Sequence, residues 1–339
     1  MIYPKFPKSG DIIGICAPSA GVGNKLEYFD LSEESLRNRG YEIKETASVR
    51  SDDYPSAPAE VRGAEFNELF ADESVSMVMS ATGGDYNVEM LPYIDQELVR
   101  ANPKWFAGYS DPTSIEMLLT TKLDIATIYG CNAGAWDWRP LHEFQENSLN
   151  IISGNIAEQH SYDFYAGKGF DDEDGDYKME TPVEWTLFVP FEGELCESYG
   201  LDATGRLIGG CIDVLDWIIG TPYEDLQGFA ERYKDDGLIW FFDPFEISPL
   251  ILQYSMNRMK MMGLFDHAQA VVFGRVVFPG EHTDEEYVSQ LNRVFRDTNV
   301  PIIWGADIGH TKPSMTLING AMGHLIYDNG KATLSMELL

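Results

Sequence analysis

The sequence predicts an α/β protein in two parts: an N-terminal parallel-sheet (Rossmann-like) domain, then a smaller mixed α/β domain with antiparallel strands. Two patterns carry this. Through the first half, short apolar runs alternate with segments of helical spacing, as in a parallel sheet covered by helices on both faces. Near the C-terminus, hydrophobic alternation in residues 316–318, 324–327 and 332–336, with a turn at Asp328-Asn329-Gly330, marks antiparallel strands. The parts fall at residues 1–150 and 206–339, with 151–205 as an insertion or linker.

The elements follow in order. Asp11 to Ala17 is a buried-strand run closed by Pro18, Ser19 and Ala20. Leu26 to Arg39 has helical spacing and stops at Gly40, a good residue just past a helix end. A weak strand (41–45), a helix (59–71) after Pro58 and a strand (75–81) running into Gly83-Gly84 come next. Residues 104–109 read as a strand, 112–121 as a helix and 125–129 as a strand. Between about Asn132 and Leu201 the pattern dissolves. Helices then fall at 211–219, 250–262 and 284–296, with strands at 238–242, 270–273 and 302–304.

Composition narrows the function. Of 339 residues, 44% are hydrophobic and 12% aromatic, which excludes a disordered chain. A formal charge of −31 repels phosphate backbones and anionic lipid, which excludes nucleic acid and membrane surfaces as partners. Cys16, Cys131, Cys196 and Cys211 have neither disulfide-scaffold nor zinc-site spacing and read as buried thiols in a reducing compartment. With no signal-peptide pattern and no apolar stretch of roughly 18 residues, the expectation is a soluble cytoplasmic protein. The acidic run Asp171, Asp172, Glu173, Asp174 and Asp176 reads as a solvated loop, because Phe170 stands where a calcium loop needs its first acid.

Four features are candidates for chemistry. Gly108-Tyr109-Ser110-Asp111-Pro112 puts a serine where a strand ends and a helix begins, although Pro112 departs from the hydrolase G-x-S-x-G elbow. Gly83-Gly84 lets backbone N–H groups approach a ligand closely, as an oxyanion hole requires. Asp243 ends an apolar strand before Pro244, where a carboxylate can orient a histidine. His310, in Gly309-His310-Thr311-Lys312-Pro313, sits in a loop free to act as a base near neutral pH. Each alone reads equally well as a cap, a turn or an idle loop. Jointly they supply nucleophile, oxyanion donors, acid and base at strand ends.

These residues resemble the S66 serine peptidases, which include LD-carboxypeptidases and the microcin C self-immunity peptidase. The likeness runs from Gly10–Ser19 through Gly83-Gly84, Asn102-Pro103-Lys104 and Gly108–Asp111. It continues in Gly205–Gly210, Gly220–Tyr223 and Gly274-Arg275, and closes in Gly305–Pro313. The resemblance implies a Ser–His–Glu triad at a two-domain interface, with Ser110 as nucleophile, His310 as base, and N–H groups of Gly84 and Asp111 as oxyanion donors. Asp243 stands where the family has Glu. It is shorter by about 1.5 Å, so Glu246 is the reserve acid. Thr82 stands where a basic residue is expected.

The implied activity is removal of a terminal D-amino acid from cytoplasmic muropeptides. The alternative is cleavage of an aminoacyl-nucleotide amide, with Trp136, Trp138 and Trp185 as stacking surfaces for a base. Lys312 and Arg275, with Trp185, are candidates for substrate binding. No metal or cofactor is expected, and a homodimer is implied. Rival readings are a catalytically silent ligand-binding homologue and a nucleotide-cofactor oxidoreductase; the latter lacks its third glycine because Leu26 replaces it. A metalloprotease is disfavoured by Glu146, where H-E-x-x-H needs its second histidine.

Overall fold

The apolar runs become the centres of two open sheets. The computed structural model describes residues 1–167 and 178–339, so the acidic run at 171–176 lies outside the described residues. The chain forms two units: Met1–Ala157 with Gly220–Asp225 and Thr316–Gly320, and Glu158–Ile219 with Leu226–Met315 and Ala321–Leu339.

The first unit carries β1 (Ile12–Cys16), α1 (Leu26–Asn38), β2 (Glu42–Glu45), α2 (Ala59–Ala71), β3 (Val75–Ser80), α3 (Gln96–Ala101), β4 (Trp105–Gly108), α4 (Thr113–Met117), β5 (Thr127–Tyr129) and α5 (Glu143–Ile152). The second begins with β6 (Gln159–His160), β7 (Phe164–Ala166), β8 (Met179–Pro182), β9 (Thr186–Phe191), β10 (Glu194–Ser198) and β11 (Gly200–Cys211). It continues with α6 (Ile212–Ile218), α7 (Leu226–Arg232), β12 (Leu238–Asp243), α8 (Pro249–Met261), β13 (Ala268–Gly274), α9 (Asp284–Phe295) and β14 (Ile302–Ala306). Strand β15 (Leu317–Asn319) returns to the first unit; β16 (Met322–Asp328) and β17 (Lys331–Glu337) belong to the second.

The first sheet runs β2-β1-β3-β4-β5, all parallel, with β15 antiparallel on the edge. This is the doubly wound order in which β1 and β3 are neighbours at the point where the winding reverses. The loops leaving the carboxyl ends of β1 and β3 therefore emerge side by side. Two backbone bonds join them: Ala81 N–H to the Cys16 carbonyl at 2.8 Å, and Ala20 N–H to the Gly83 carbonyl at 3.2 Å. Strand β4 is buried throughout, as a strand covered on both faces must be.

In the second sheet, β11, β12, β13 and β14 form a parallel centre flanked by antiparallel strands, in the order β10-β9-β14-β13-β12-β11-β16-β17-β6. Among the described residues this sheet has nine strands against six in the first. The β16–β17 turn uses Asn329 at φ 48° and Gly330 at φ 85°, the left-handed pair that a two-residue hairpin demands.

The structure departs from the sequence reading in four places. The helix expected at 112–121 ends at Met117 and widens into a π-type turn over Leu118–Lys122. The stretch from 132 to 201 is ordered wherever it is described. Helix α5 escaped notice because its N-cap is His142, whose Nδ1 accepts from Phe144 N–H at 3.3 Å while Gln145 reaches back to His142 N–H at 3.0 Å. Strand β11 changes partners midway, pairing antiparallel with β16 up to Arg206 and parallel with β12 beyond it, so its sequence carries no single alternation. Cys16, Cys131 and Cys211 are buried, but Cys196 is exposed on β10. Among the described residues no helix is long and apolar enough to cross a membrane.

Glu116 on α4 is fully buried, with both carboxyl oxygens lacking a hydrogen-bond partner. Burial pushes its carboxyl well above the ordinary 4.5. The folded state therefore holds a proton that the unfolded chain releases above pH 4.5, and this opposes folding increasingly as pH rises through that window. Glu116→Gln should gain stability over the parent as pH is raised from 5 to 8. Denaturant melts at both ends of the range check it; parallel stability profiles would refute it.

Candidate active site

Strand β4 ends at Gly108, and the chain enters α4 through Tyr109, Ser110, Asp111 and Pro112. Ser110 has φ 70°, a left-handed backbone that non-glycine residues adopt rarely and hold only when their surroundings fix it. Here they do. Asn132 brackets Tyr109, accepting its N–H at 3.2 Å and donating to its carbonyl at 3.4 Å. On the other side Asn87 gives its backbone N–H to the Asp111 carboxylate at 2.8 Å and its side-chain amide to the Asp111 carbonyl at 3.2 Å. Thr113 N–H bonds the Ser110 carbonyl at 2.9 Å. The hydroxyl of Ser110 is thereby aimed by backbone held on both flanks.

Gly83 lies against that hydroxyl: a Cβ at 83 would come within 3.1 Å of Ser110 Oγ. Gly84 has φ 143°, and a Cβ there would meet Ser19 Oγ at 2.3 Å, so no other residue fits. Asp111 is buried and desolvation pushes its carboxyl up to about 6, against the opposing hydrogen bonds from Ser19 and Asn87. The expected nucleophile and both expected oxyanion residues thus lie on the carboxyl edge of one sheet, at the ends of β3 and β4.

In the second unit, β12 ends in Asp243, whose side chain is fully buried. Its Oδ2 lies 2.8 Å from Nδ1 of the His310 ring, and its Oδ1 accepts the His310 backbone N–H at 3.3 Å. The shorter acid reaches because Gly309, at φ 96°, lets the histidine loop lie directly on it; a Cβ at 309 would stand 1.9 Å from Oδ1. The Phe245 ring packs on His310 with centroids 4.6 Å apart. Asp213 at the start of α6 fixes this corner by accepting the N–H groups of Phe245 at 2.9 Å and Glu246 at 3.0 Å. Glu246 itself is exposed.

The remaining candidates are placed differently from one another. The guanidinium of Arg275 is buried on Asp307 at 2.5 Å, donates to Thr311 Oγ1 at 3.4 Å and stacks on Tyr165. Trp185 is buried with its indole N–H on Asp307 at 3.0 Å. Lys312 is half-buried, and its carbonyl accepts from Ala166 N–H at 2.9 Å. Trp136 is buried with its N–H on Ser148, while Trp138 is half-buried against His142 and Phe144. Sequence reasoning passed over Asn87, Asn132, Asp213 and Asp307. Asp213 lies in the first turn of α6, Asp307 directly after β14, and Asn87 and Asn132 in the segments after β3 and β5, so no common local signal singles them out.

The family model described as the LD-carboxypeptidase N-terminal domain matches residues 13–130, and the model for the LD-carboxypeptidase C-terminal domain matches 204–325. The chain is thus a peptidase by class. It belongs to peptidase family S66. A putative carboxypeptidase of Vibrio cholerae is 27% identical, covering 97% of this chain and 96% of its own. The microcin C7 self-immunity protein MccF of Escherichia coli is 26% identical, covering 97% and 94%. A probable murein peptide carboxypeptidase of Bacillus subtilis is 25% identical, covering 94% and 89%. Among solved structures, an MccF-like protein from Bacillus anthracis shares the fold with a TM-score of 0.82 at 21% identity, covering 99% of this chain and all of its own. MccF in complex with aspartyl sulfamoyl adenosine gives 0.79 at 23% identity, covering 100% and 99%.

Gly309→Ala tests how the acid and the base are held. The added methyl group must displace either the carboxylate or the loop, and the left-handed backbone at 309 adds strain. A stability loss of about 2 kcal/mol or more, with peptidase activity falling further than stability alone explains, is the expected result. Unchanged melting and turnover would show that the close packing of 309 on 243 is incidental.

Proposed function

We propose that the protein is a serine carboxypeptidase of the LD type, releasing a terminal D-amino acid from muropeptides through an acyl-enzyme. The observation that carries the reading is the left-handed backbone of Ser110, fixed on both flanks beside Gly83. Strain of this kind at a strand-to-helix turn is what exposes a nucleophilic hydroxyl. In this reading His310, oriented by Asp243, takes the Ser110 proton as the oxygen attacks the carbonyl before the terminal D-residue. The tetrahedral oxyanion accepts the N–H groups of Gly84 and Asp111. His310 then gives its proton to the leaving amine, and water hydrolyses the ester. Asp243 stabilises the imidazolium without itself being protonated.

The substrate side favours a peptide over a nucleotide conjugate. Trp136 and Trp185, two of the three tryptophans offered to a base, are buried with their N–H groups satisfied inside the protein. Only Trp138 keeps part of its surface. In this reading Arg275, paired with Asp307, supports the loop around His310, and Lys312 is the cation that meets the terminal carboxylate. A cytoplasmic homodimer completes the proposal; sedimentation velocity on the purified protein measures the second part of it.

Ser110→Ala and His310→Ala should each lower kcat on a tetrapeptide ending in D-alanine by roughly 10⁶-fold, with the double variant no worse than either. Melting of Ser110→Ala should stay unchanged, while His310→Ala, which strips the buried Asp243 carboxylate of its ring partner, should melt lower. Turnover retained in Ser110→Ala would refute the serine mechanism. Assaying aspartyl sulfamoyl adenosine beside the peptide decides the substrate: cleavage of that compound alone selects the microcin-immunity reading, and cleavage of neither selects a silent ligand-binding homologue.

A further inference from the structure

Two backbone N–H groups stabilise one oxygen only if both point at it, and here they belong to loops from different strands. Gly84 follows β3 and Asp111 follows β4. What fixes their separation lies behind them, in the loop after β1.

Ser19 is fully buried in that loop. Its hydroxyl oxygen accepts Tyr86 N–H at 3.0 Å, two residues beyond Gly84, and the next residue, Asn87, gives its backbone N–H to the Asp111 carboxylate at 2.8 Å. The Ser19 hydroxyl also lies directly under Gly84, where a Cβ would stand 2.3 Å away. One hydroxyl therefore anchors the segment that carries the first donor, and Asn87 in that same segment holds the residue that carries the second. Its own position is fixed in turn. Arg62, with a fully buried side chain, donates to the Pro18 carbonyl at 2.6 Å and the Tyr86 carbonyl at 2.8 Å, flanking the bridge. Its remaining donors hold Ala57 O at 2.9 Å and Glu89 at 3.1 Å. Ser56 N–H adds a bond to the Ser19 carbonyl at 2.9 Å. A rigid, fully bonded support behind a pair of donors is what preorganisation requires.

We propose that Ser19 is a positioning residue, its hydroxyl setting the separation of the Gly84 and Asp111 N–H groups, with Arg62 bracing it. This rests on the serine mechanism proposed above. An alanine at 19 leaves the donors and the Asn87–Asp111 bonds in place and releases the Gly84 segment from its anchor behind the site. The loss appears where negative charge develops and not where substrate first binds.

A fluorophosphonate tests it, because its phosphonyl oxygen occupies the oxyanion position while Ser110 Oγ bonds phosphorus, fluoride leaves and the serine proton passes to His310. Ser19→Ala should slow phosphonylation of Ser110 roughly 10- to 100-fold, less than the 10²–10³ of deleting a donor outright. The kcat for peptide should fall by the same factor, with KM within about threefold of the parent. Arg62→Lys should repeat that split. Phosphonylation of a folded Ser19→Ala variant within twofold of the parent overturns the inference, as does a loss carried in KM. Failure of both variants to fold assigns the pair to stability alone and overturns it equally. A parent enzyme that is not labelled at Ser110 overturns the serine mechanism itself, and this inference with it.

Discussion

A serine held in left-handed backbone stays there only while its neighbours leave it no alternative. That constraint organises the first unit. Asn132 holds the residue before Ser110, Asn87 the residue after it, and Gly108 and Gly83 clear the space on either side. The winding order brings the ends of β1, β3 and β4 to one edge, which is why polar side chains from three separate loops meet around a single turn. The sheet supplies stiffness and the loops supply direction.

The second unit solves a different problem, that of a carboxylate without access to water. A buried charge is tolerated when its lone pairs are met, and Asp243 meets His310 with both oxygens, through the ring and through the backbone. The neighbouring acid Asp213 is used up on two backbone N–H groups of the turn that carries Phe245. A second hub lies nearby in sequence: Asp307 takes Arg275, the Trp185 indole and the Tyr162 N–H, so the segment leading into Gly309 is fixed before the histidine is reached. Every acid in this corner except the exposed Glu246 has a named structural duty.

Much of the fold could be read from residue order. Strands with uniform burial, such as β3, β4, β12 and β14, announce themselves as continuous apolar runs, and Gly40 and Gly263 mark helix ends by their left-handed backbone. Reading failed where one segment serves two environments. Strand β11 pairs in opposite senses along its length, and α5 is capped by a histidine that ordinary capping preferences rank low. Around the site, Ser110, Asp243 and His310 stood out because glycine and proline punctuate the chain beside them. The bonds that place them did not. Ser19 and Asn132 look like any other loop residues until tertiary structure brings them to the nucleophile's turn, and no local pattern encodes a contact across tens of residues.

Strand β15 carries a consequence for synthesis. It is the edge of the first sheet, yet it is encoded at 317–319, after almost the whole of the second unit. A nascent chain cannot close that sheet until residues 317–319 have been made, and Thr127–Tyr129 offers an open edge while everything between them is synthesised. Neither unit corresponds to one uninterrupted stretch of coding sequence, and cutting the gene once after Ala157 would leave the first sheet short of β15.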